Sequence, residues 1–68
     1  MSLDEIRRIR DADPFRPVWM KLADGRQMLI ESLGITPKGI VLAVSREQSL
    51  FLLPEQIIEA RPVQLAAN

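Results

Sequence analysis

The chain has 68 residues, with nine Lys and Arg against nine Asp and Glu, and it contains neither Cys nor His. This length favours a single small domain over residues 1–68. The missing Cys and His exclude a disulfide framework and the usual zinc ligands, and the zero net charge lacks the basic excess of a dedicated nucleic-acid binder. No apolar run reaches the length of a membrane span and no leader pattern is present, so we expect a cytoplasmic protein without a membrane partner.

The first predicted element is a helix over residues 3–11. Ser2 and Glu5 have the spacing of a capping box, in which each side chain satisfies a backbone N–H of the other residue. Three apolar residues form a narrow stripe along this helix: Leu3, Ile6 and Ile9. A helix this short needs such a stripe to pack on the strands that follow.

Five strands are predicted after the helix, over residues 18–23, 26–32, 39–45, 49–53 and 57–62. The first two alternate apolar and polar residues around Asp24-Gly25, a dipeptide typical of a type I′ hairpin turn. The next two are apolar on both faces and are joined by a short polar loop. Residues 32–38 are expected to be a loop, with a type I turn at Thr36 to Gly39, and Pro54 to begin a 3₁₀ turn.

This order of elements predicts a mainly β fold. Short strands that are apolar on both faces curl rather than form a flat sheet. We therefore expect an N-terminal α-helix followed by a strongly bent five-stranded antiparallel barrel of the SH3-like or Sm-like kind, with the helix covering an open side.

Residues 16–62 resemble the Sm-like family, of the type found in the bacterial RNA chaperone Hfq. The shared features are the leading helix, the tight turn at Leu22 to Gly25, the Glu31-Ser32 pair and a last strand that ends at Pro62. The resemblance implies a small barrel that joins into rings and binds RNA. Hfq carries a Tyr-Lys-His run where this chain has Leu53-Pro54-Glu55, so the uridine site of that family is not carried over.

The chain is also similar to a group of short, uncharacterised bacterial proteins. The shared segments are a Pro-Phe-Arg-Pro element at Pro14 to Pro17, a turn at Leu22 to Arg26 and an apolar finish at Leu53 to Ala60. This similarity implies no function.

No catalytic residue is predicted. Without His or Cys, a nucleophile would have to be Ser or Lys with a matched base, and the Ser residues lie at a helix cap or at strand ends, where hydroxyls bind the backbone. Asp11 and Asp13 supply too few oxygens for a calcium site. We therefore expect no enzyme activity, metal, cofactor or small-molecule substrate.

Trp19, Lys21 and Arg26 are the candidate contacts for nucleic acid. An aromatic ring can stack a base while neighbouring cations hold phosphates. The alternative, which we favour, places Trp19 beneath the helix, where it meets Ile6 and Ile9 and gives that helix an apolar floor.

The central strands hold more apolar residues than a small barrel can enclose. One set is predicted to fill the interior: Ile40, Leu42, Val44, Leu50 and Leu52. Val41, Phe51 and Leu53 then face outward, and with Ile57 they form the predicted oligomer interface. We expect a homo-oligomer built through the edge strands, because pairing removes unprotected edges.

Two functions remain open at this point. The first is a non-enzymatic Sm-like small barrel that self-assembles and presents a surface to RNA. The alternative is a protein-protein interaction or scaffolding module without nucleic-acid affinity, which the neutral charge favours.

Overall fold

The computed structural model describes residues 1–63, so residues 64–68 of the predicted domain lie outside the described part. Its elements in chain order are α1 (Leu3–Arg10), β1 (Val18–Leu22), β2 (Gln27–Ile30), β3 (Ser32–Ile35), β4 (Val41–Val44), β5 (Ser49–Leu52), a 3₁₀ turn (Pro54–Gln56) and β6 (Ile57–Pro62). The strands form two three-stranded antiparallel sheets, ordered β2-β1-β6 and β3-β4-β5. The predicted mainly β fold with an N-terminal helix is confirmed.

The two sheets do not close into the predicted five-stranded barrel. The strand predicted over residues 26–32 ends at Ile30, and β3 begins inside the segment predicted to be a loop. Glu31 divides the two strands: Ile30 pairs with Val18 in one sheet, whereas the Glu31 N–H donates to the Val44 carbonyl of the other sheet at 2.8 Å. The prediction of a loop over residues 32–38 is therefore wrong for its first half, because the backbone from Ser32 to Ile35 is paired with β4.

Helix α1 begins and ends close to the predicted residues, and its capping box is present. The Glu5 N–H donates to Oγ of Ser2 at 3.2 Å, and the Ser2 N–H donates to Oε1 of Glu5 at 3.1 Å. Ile6 is buried in the core, while Leu3 and Ile9 are half-buried against it. The apolar stripe therefore enters the interior itself, where α1 contacts β3.

The β1–β2 turn differs from the predicted type I′ hairpin. The Gly25 N–H donates to the Leu22 carbonyl at 3.0 Å, and the Leu22 N–H donates to the Arg26 carbonyl at 2.8 Å. Only Gly25, with φ of 94°, has a positive φ in this turn. This is a three-residue loop, a type I turn followed by a left-handed glycine, and it spares Asp24 the strain of a left-handed conformation.

The β3–β4 turn has the same construction and confirms the predicted type I turn. The Gly39 N–H donates to the Thr36 carbonyl at 2.9 Å, and the Thr36 N–H donates to the Ile40 carbonyl at 2.9 Å. Gly39 has φ of 84°. This turn fixes the register of β3 on β4.

The core is apolar and draws on both sheets and the helix. Its buried residues are Ile6, Val18, Met20, Leu22, Ile30, Val41, Ala43, Leu52 and Ile57. The alternation predicted for the first strand is confirmed in β1, where Val18, Met20 and Leu22 are buried and the two residues between them are exposed.

The face predicted for β4 is wrong. Val41 and Ala43 are buried, whereas Leu42 and Val44 are half-buried on the opposite face. Val41 lies opposite Ile35 on β3 and Leu52 on β5, so the ladder turns Val41 inward. A run that is apolar on both faces carries no alternation from which the buried face can be chosen.

Candidate functional site

The outer face of the β2-β1-β6 sheet carries the first candidate surface. We call it the Trp19 face, and it comprises Trp19, Lys21, Gln27, Leu29, Glu59 and Arg61. Trp19 lies opposite Leu29 on β2 and opposite Arg61 on β6, and Lys21 lies opposite Gln27. Residues directly opposite each other share a face of the sheet. The result is a strip with an apolar centre, Trp19 and Leu29, bordered by polar side chains.

Trp19 does not lie beneath the helix, so the favoured sequence interpretation of this residue is wrong. It is 46% exposed, and its indole Nε1 donates to Oε1 of Gln27 at 3.0 Å. The helix instead places Ile6 in the core between the sheets. Trp19 is therefore available as a flat aromatic surface whose orientation is fixed by a side chain on the neighbouring strand.

The cations near Trp19 differ in their pairing. Within residues 1–63, Lys21 makes no ion pair, although Glu59 lies opposite it on β6 and shares this face. Arg61 Nη2 lies 2.6 Å from Oε2 of Glu59, and Arg26 Nε lies 2.7 Å from Oδ2 of Asp24. The structure thus brings Trp19 and Lys21 together and places Arg26 in the turn beside them.

The turn that holds Arg26 also fixes its acidic partner. The backbone N–H of Arg26 donates to Oδ1 of Asp24 at 3.0 Å, which lowers the pKa of that carboxyl, and the bond from the Arg26 side chain lowers it further. Arg26 is therefore engaged within its own turn, and Lys21 is the better candidate for a phosphate.

An open groove of about 490 Å³ borders the Trp19 face. It runs between β2 and the β4–β5 turn and is lined by Arg26, Gln27, Met28, Leu29, Ser45, Arg46, Glu47 and Gln48. Arg46 Nε lies 3.3 Å from Oε1 of Glu31. The groove is therefore lined mostly by polar residues, and both of its arginines are already paired with carboxylates.

The predicted oligomer interface is divided by the structure. Phe51 is 70% exposed and Leu53 is also exposed, as the sequence predicted, and their role at an interface stays a prediction. Val41 and Ile57 are each 0% exposed, so neither is available to a partner chain. The neighbouring Ile58 is exposed instead. A register shift in the β1–β6 ladder near Lys21 marks a bulge in which Ile58 is the extra residue, and this could not be read from the sequence.

β5 is an outer strand of its sheet, and part of its backbone faces outward. The Ser45 N–H donates to the Gln48 carbonyl at 2.8 Å, which sets the alternation of bonds along the β4–β5 ladder. Ser49 and Phe51 therefore direct their N–H and carbonyl groups away from β4. The Leu53 N–H is not available to another strand, because it donates to Oε1 of Gln56 at 2.8 Å.

β6 is an outer strand of the other sheet. The Val63 N–H donates to the Pro17 carbonyl at 2.8 Å, so the alternation turns the N–H and carbonyl of Ala60 outward. Pro62 has no N–H to offer. The Ile57 carbonyl accepts from the amino nitrogen of Met1 at 2.7 Å, which covers the start of this edge.

Sequence reasoning missed Arg61 and Ile58 as surface residues. The alternation of β2 places Leu29 outward, but the pairing of β6 with β1 joins distant parts of the chain and left no local signal for Arg61. Within residues 1–63, no group of three or more acidic side chains is arranged to hold a metal ion, and no helix is both long and apolar enough to cross a membrane. No protein-family model, curated protein or solved structure matches the chain.

Proposed function

We propose that the chain is a non-enzymatic, Sm-like small β module that self-assembles through the outer edges of β5 and β6. The observation that carries this proposal is the position of Phe51, which is 70% exposed on a strand with an unpaired edge. An unpaired edge flanked by an apolar side chain is a template for another strand. Burying a side chain of this kind stabilises an assembly by about 1.5–3 kcal/mol.

The Sm-like assignment is supported by the course of the chain through both sheets. Taking β2 and β3 as two halves of one strand bent at Glu31 restores the five-strand order expected from the resemblance. The two outer strands of this order are β5 and β6, the last two in the chain. A cytoplasmic location fits the absence of Cys, which is typical of reducing compartments.

Light scattering coupled to size exclusion tests self-assembly. We expect the wild-type chain to elute at a multiple of its monomer mass and Phe51→Lys to shift toward the monomer. Leu29→Lys is the matched control, because it also places a charge at an exposed apolar position but on the Trp19 face. Equal masses for the wild type and Phe51→Lys would show that β5 is not part of the interface between copies.

A second candidate function is binding of single-stranded RNA on the Trp19 face. The observation that favours it is the exposed indole of Trp19 on the same face as Lys21, which makes no ion pair in the described part of the chain. Stacking on an aromatic side chain is worth about 1–3 kcal/mol per base. Trp19 is the sole tryptophan, so its fluorescence reports contact directly.

Titration with single-stranded oligonucleotides at low and moderate salt tests this candidate. RNA binding predicts quenching of Trp19 that weakens as salt rises. Replacing Lys21 by Ala should reduce the slope of log affinity against log salt by about 1, while Arg26→Ala changes it less, since Arg26 is paired with Asp24.

The alternative is a protein-interaction or scaffolding module without nucleic-acid affinity. Local pairing of most arginines favours it: the pairs are Arg7–Asp4, Arg10–Asp11, Arg26–Asp24, Arg46–Glu31 and Arg61–Glu59. Such pairing leaves few cations for phosphates. Flat fluorescence traces at both salt concentrations would support this alternative over RNA binding.

A further inference from the structure

We infer that a second copy pairs with β5 in one register, Phe51 opposite the partner's Ala60, and that Gln56 fixes this register. The inference rests on the proposed self-assembly and deepens it, because it names which strands meet and which residue sets their alignment. Its basis is the set of backbone groups that each outer strand leaves unpaired.

The donors of β5 end at Phe51. Ser49 and Phe51 direct N–H groups outward, whereas the Leu53 N–H is bound to Oε1 of Gln56 at 2.8 Å. The Leu53 carbonyl also accepts from the Gln56 N–H at 2.9 Å. Gln56 therefore closes the edge immediately after β5.

The edge of β6 is shorter still. Ala60 offers both a donor and an acceptor, while Pro62 offers only its carbonyl. Toward the start of the strand, Met1 lies on the edge and its amino nitrogen donates to the Ile57 carbonyl at 2.7 Å. Within residues 57–63, a strand from another copy can therefore pair only near Ala60.

One antiparallel register pairs the free N–H groups of Ser49, Phe51 and the partner's Ala60. Phe51 and the partner's Ala60 exchange both of their backbone hydrogen bonds, and the Ser49 N–H donates to the carbonyl of the partner's Pro62. The same alignment places the Phe51 side chain on the side of the partner's Ala60 that packs against the core. The Phe51 side chain is thereby removed from solvent and packs at the edge of the partner's core.

The two neighbouring registers are each blocked. A slip that sets Leu53 opposite the partner's Ala60 needs the Leu53 N–H, which Gln56 holds. A slip the other way, with Phe51 opposite the partner's Ile58, brings Leu52 against the partner's Ile57, where Met1 covers the edge. Gln56 is therefore a positioning residue for assembly.

Cysteine pairs test the register, and the chain has no native Cys to interfere. Ser49→Cys and Pro62→Cys are made separately, mixed, and mildly oxidised. In the inferred register these positions face each other with Cα atoms about 5.5 Å apart, within the roughly 4.4–6.8 Å range of disulfides. We expect a mixed disulfide, identified by mass spectrometry of the linked peptides, and none from Ser49→Cys mixed with Ala60→Cys.

Gln56→Ala tests the role of the side chain. Freeing the Leu53 N–H makes the slipped register equal in hydrogen bonds, so the yield of the 49–62 disulfide should fall to about half. Amide exchange at Leu53 should also become faster. Gln48→Ala is the matched control, because it removes an exposed glutamine side chain that makes no hydrogen bond within residues 1–63, and it should leave both readouts unchanged.

The outcomes separate this inference from the proposal beneath it. A disulfide between Ser49→Cys and Leu53→Cys would show β5 pairing with β5 of the second copy, which overturns the register while self-assembly stands. An unchanged yield in Gln56→Ala would overturn the role of Gln56. A monomeric mass for the mixed chains before oxidation would overturn both.

Discussion

Phe51 on β5 lies directly opposite Leu42 on β4, and Leu42 in turn lies opposite Gly34 on β3. Leu42 is half-buried while Phe51 is 70% exposed. The apolar character of this outer face therefore increases from Gly34, which has no side chain, toward the free edge at Phe51. The most exposed apolar side chain of this face therefore lies on the strand whose edge is free.

Ile57 and Ile58 should differ sharply in their contribution to stability. They are adjacent and chemically identical, but Ile57 is 0% exposed and Ile58 is 56% exposed. Ile57→Ala should lower the free energy of unfolding by about 2–5 kcal/mol, because it leaves a cavity in the core. Ile58→Ala should change it by about 0.5 kcal/mol or less. Urea denaturation measures both free energies. Similar losses for the two variants would contradict the burial of Ile57 and the exposure of Ile58.

Ser2 should stabilise the helix through its cap. Ser2→Ala removes the hydroxyl that accepts from the Glu5 N–H at 3.2 Å. We expect the free energy of unfolding to fall by about 1 kcal/mol, measured by urea denaturation. Ser49→Ala, at an exposed strand position, is the control and should be close to neutral at concentrations where the chain is monomeric. A neutral Ser2→Ala would mean that α1 docks without its cap.

Trp19 should report an exposed indole. In the folded chain its emission should be quenched readily by acrylamide, because 46% of its surface is exposed. Gln27→Ala removes the acceptor of the indole N–H and should make quenching more efficient, with little effect on stability. A blue-shifted emission resistant to quenching would instead place the ring beneath the helix.

Acid should weaken the fold through Glu5 and Asp24. Hydrogen bonds from the Ser2 N–H and hydroxyl lower the pKa of Glu5 from its ordinary value of 4.5, and those from Arg26 lower the pKa of Asp24 from 3.8. Since the folded values lie below the unfolded ones, this stabilisation is present above the unfolded pKa values and is lost as pH falls through the folded values.

The measurement is the urea midpoint at pH 7 and at about pH 3. Wild-type chain should lose stability on acidification, and the double variant Glu5→Gln, Asp24→Asn should lose less of it. An equal loss in both chains would show that other carboxylates carry the acid response.

Local chemistry made much of the fold predictable. The Ser2 to Glu5 spacing located the helix, and the glycines at 25 and 39 located two turns, because each signal depends on residues a few positions apart. The inward face of β1 followed from its alternation of apolar and polar residues.

The remaining features depended on long-range pairing. Val41 was misplaced because β4 is apolar on both faces, so its buried side is decided by pairing with Ile35 and Leu52. Trp19 was misplaced because the helix packs its stripe into the interior, a choice set by the space between the sheets. Arg61 joins the Trp19 face only through the β1–β6 ladder.

The most direct test of self-assembly is the molar mass of the wild-type chain, measured by sedimentation equilibrium across a wide concentration range. The free edges of β5 and β6 predict one defined oligomer that dissociates only on dilution. A mass of 7.7 kDa at every concentration would show that the chain is a monomer with Phe51 exposed to solvent, which would contradict self-assembly.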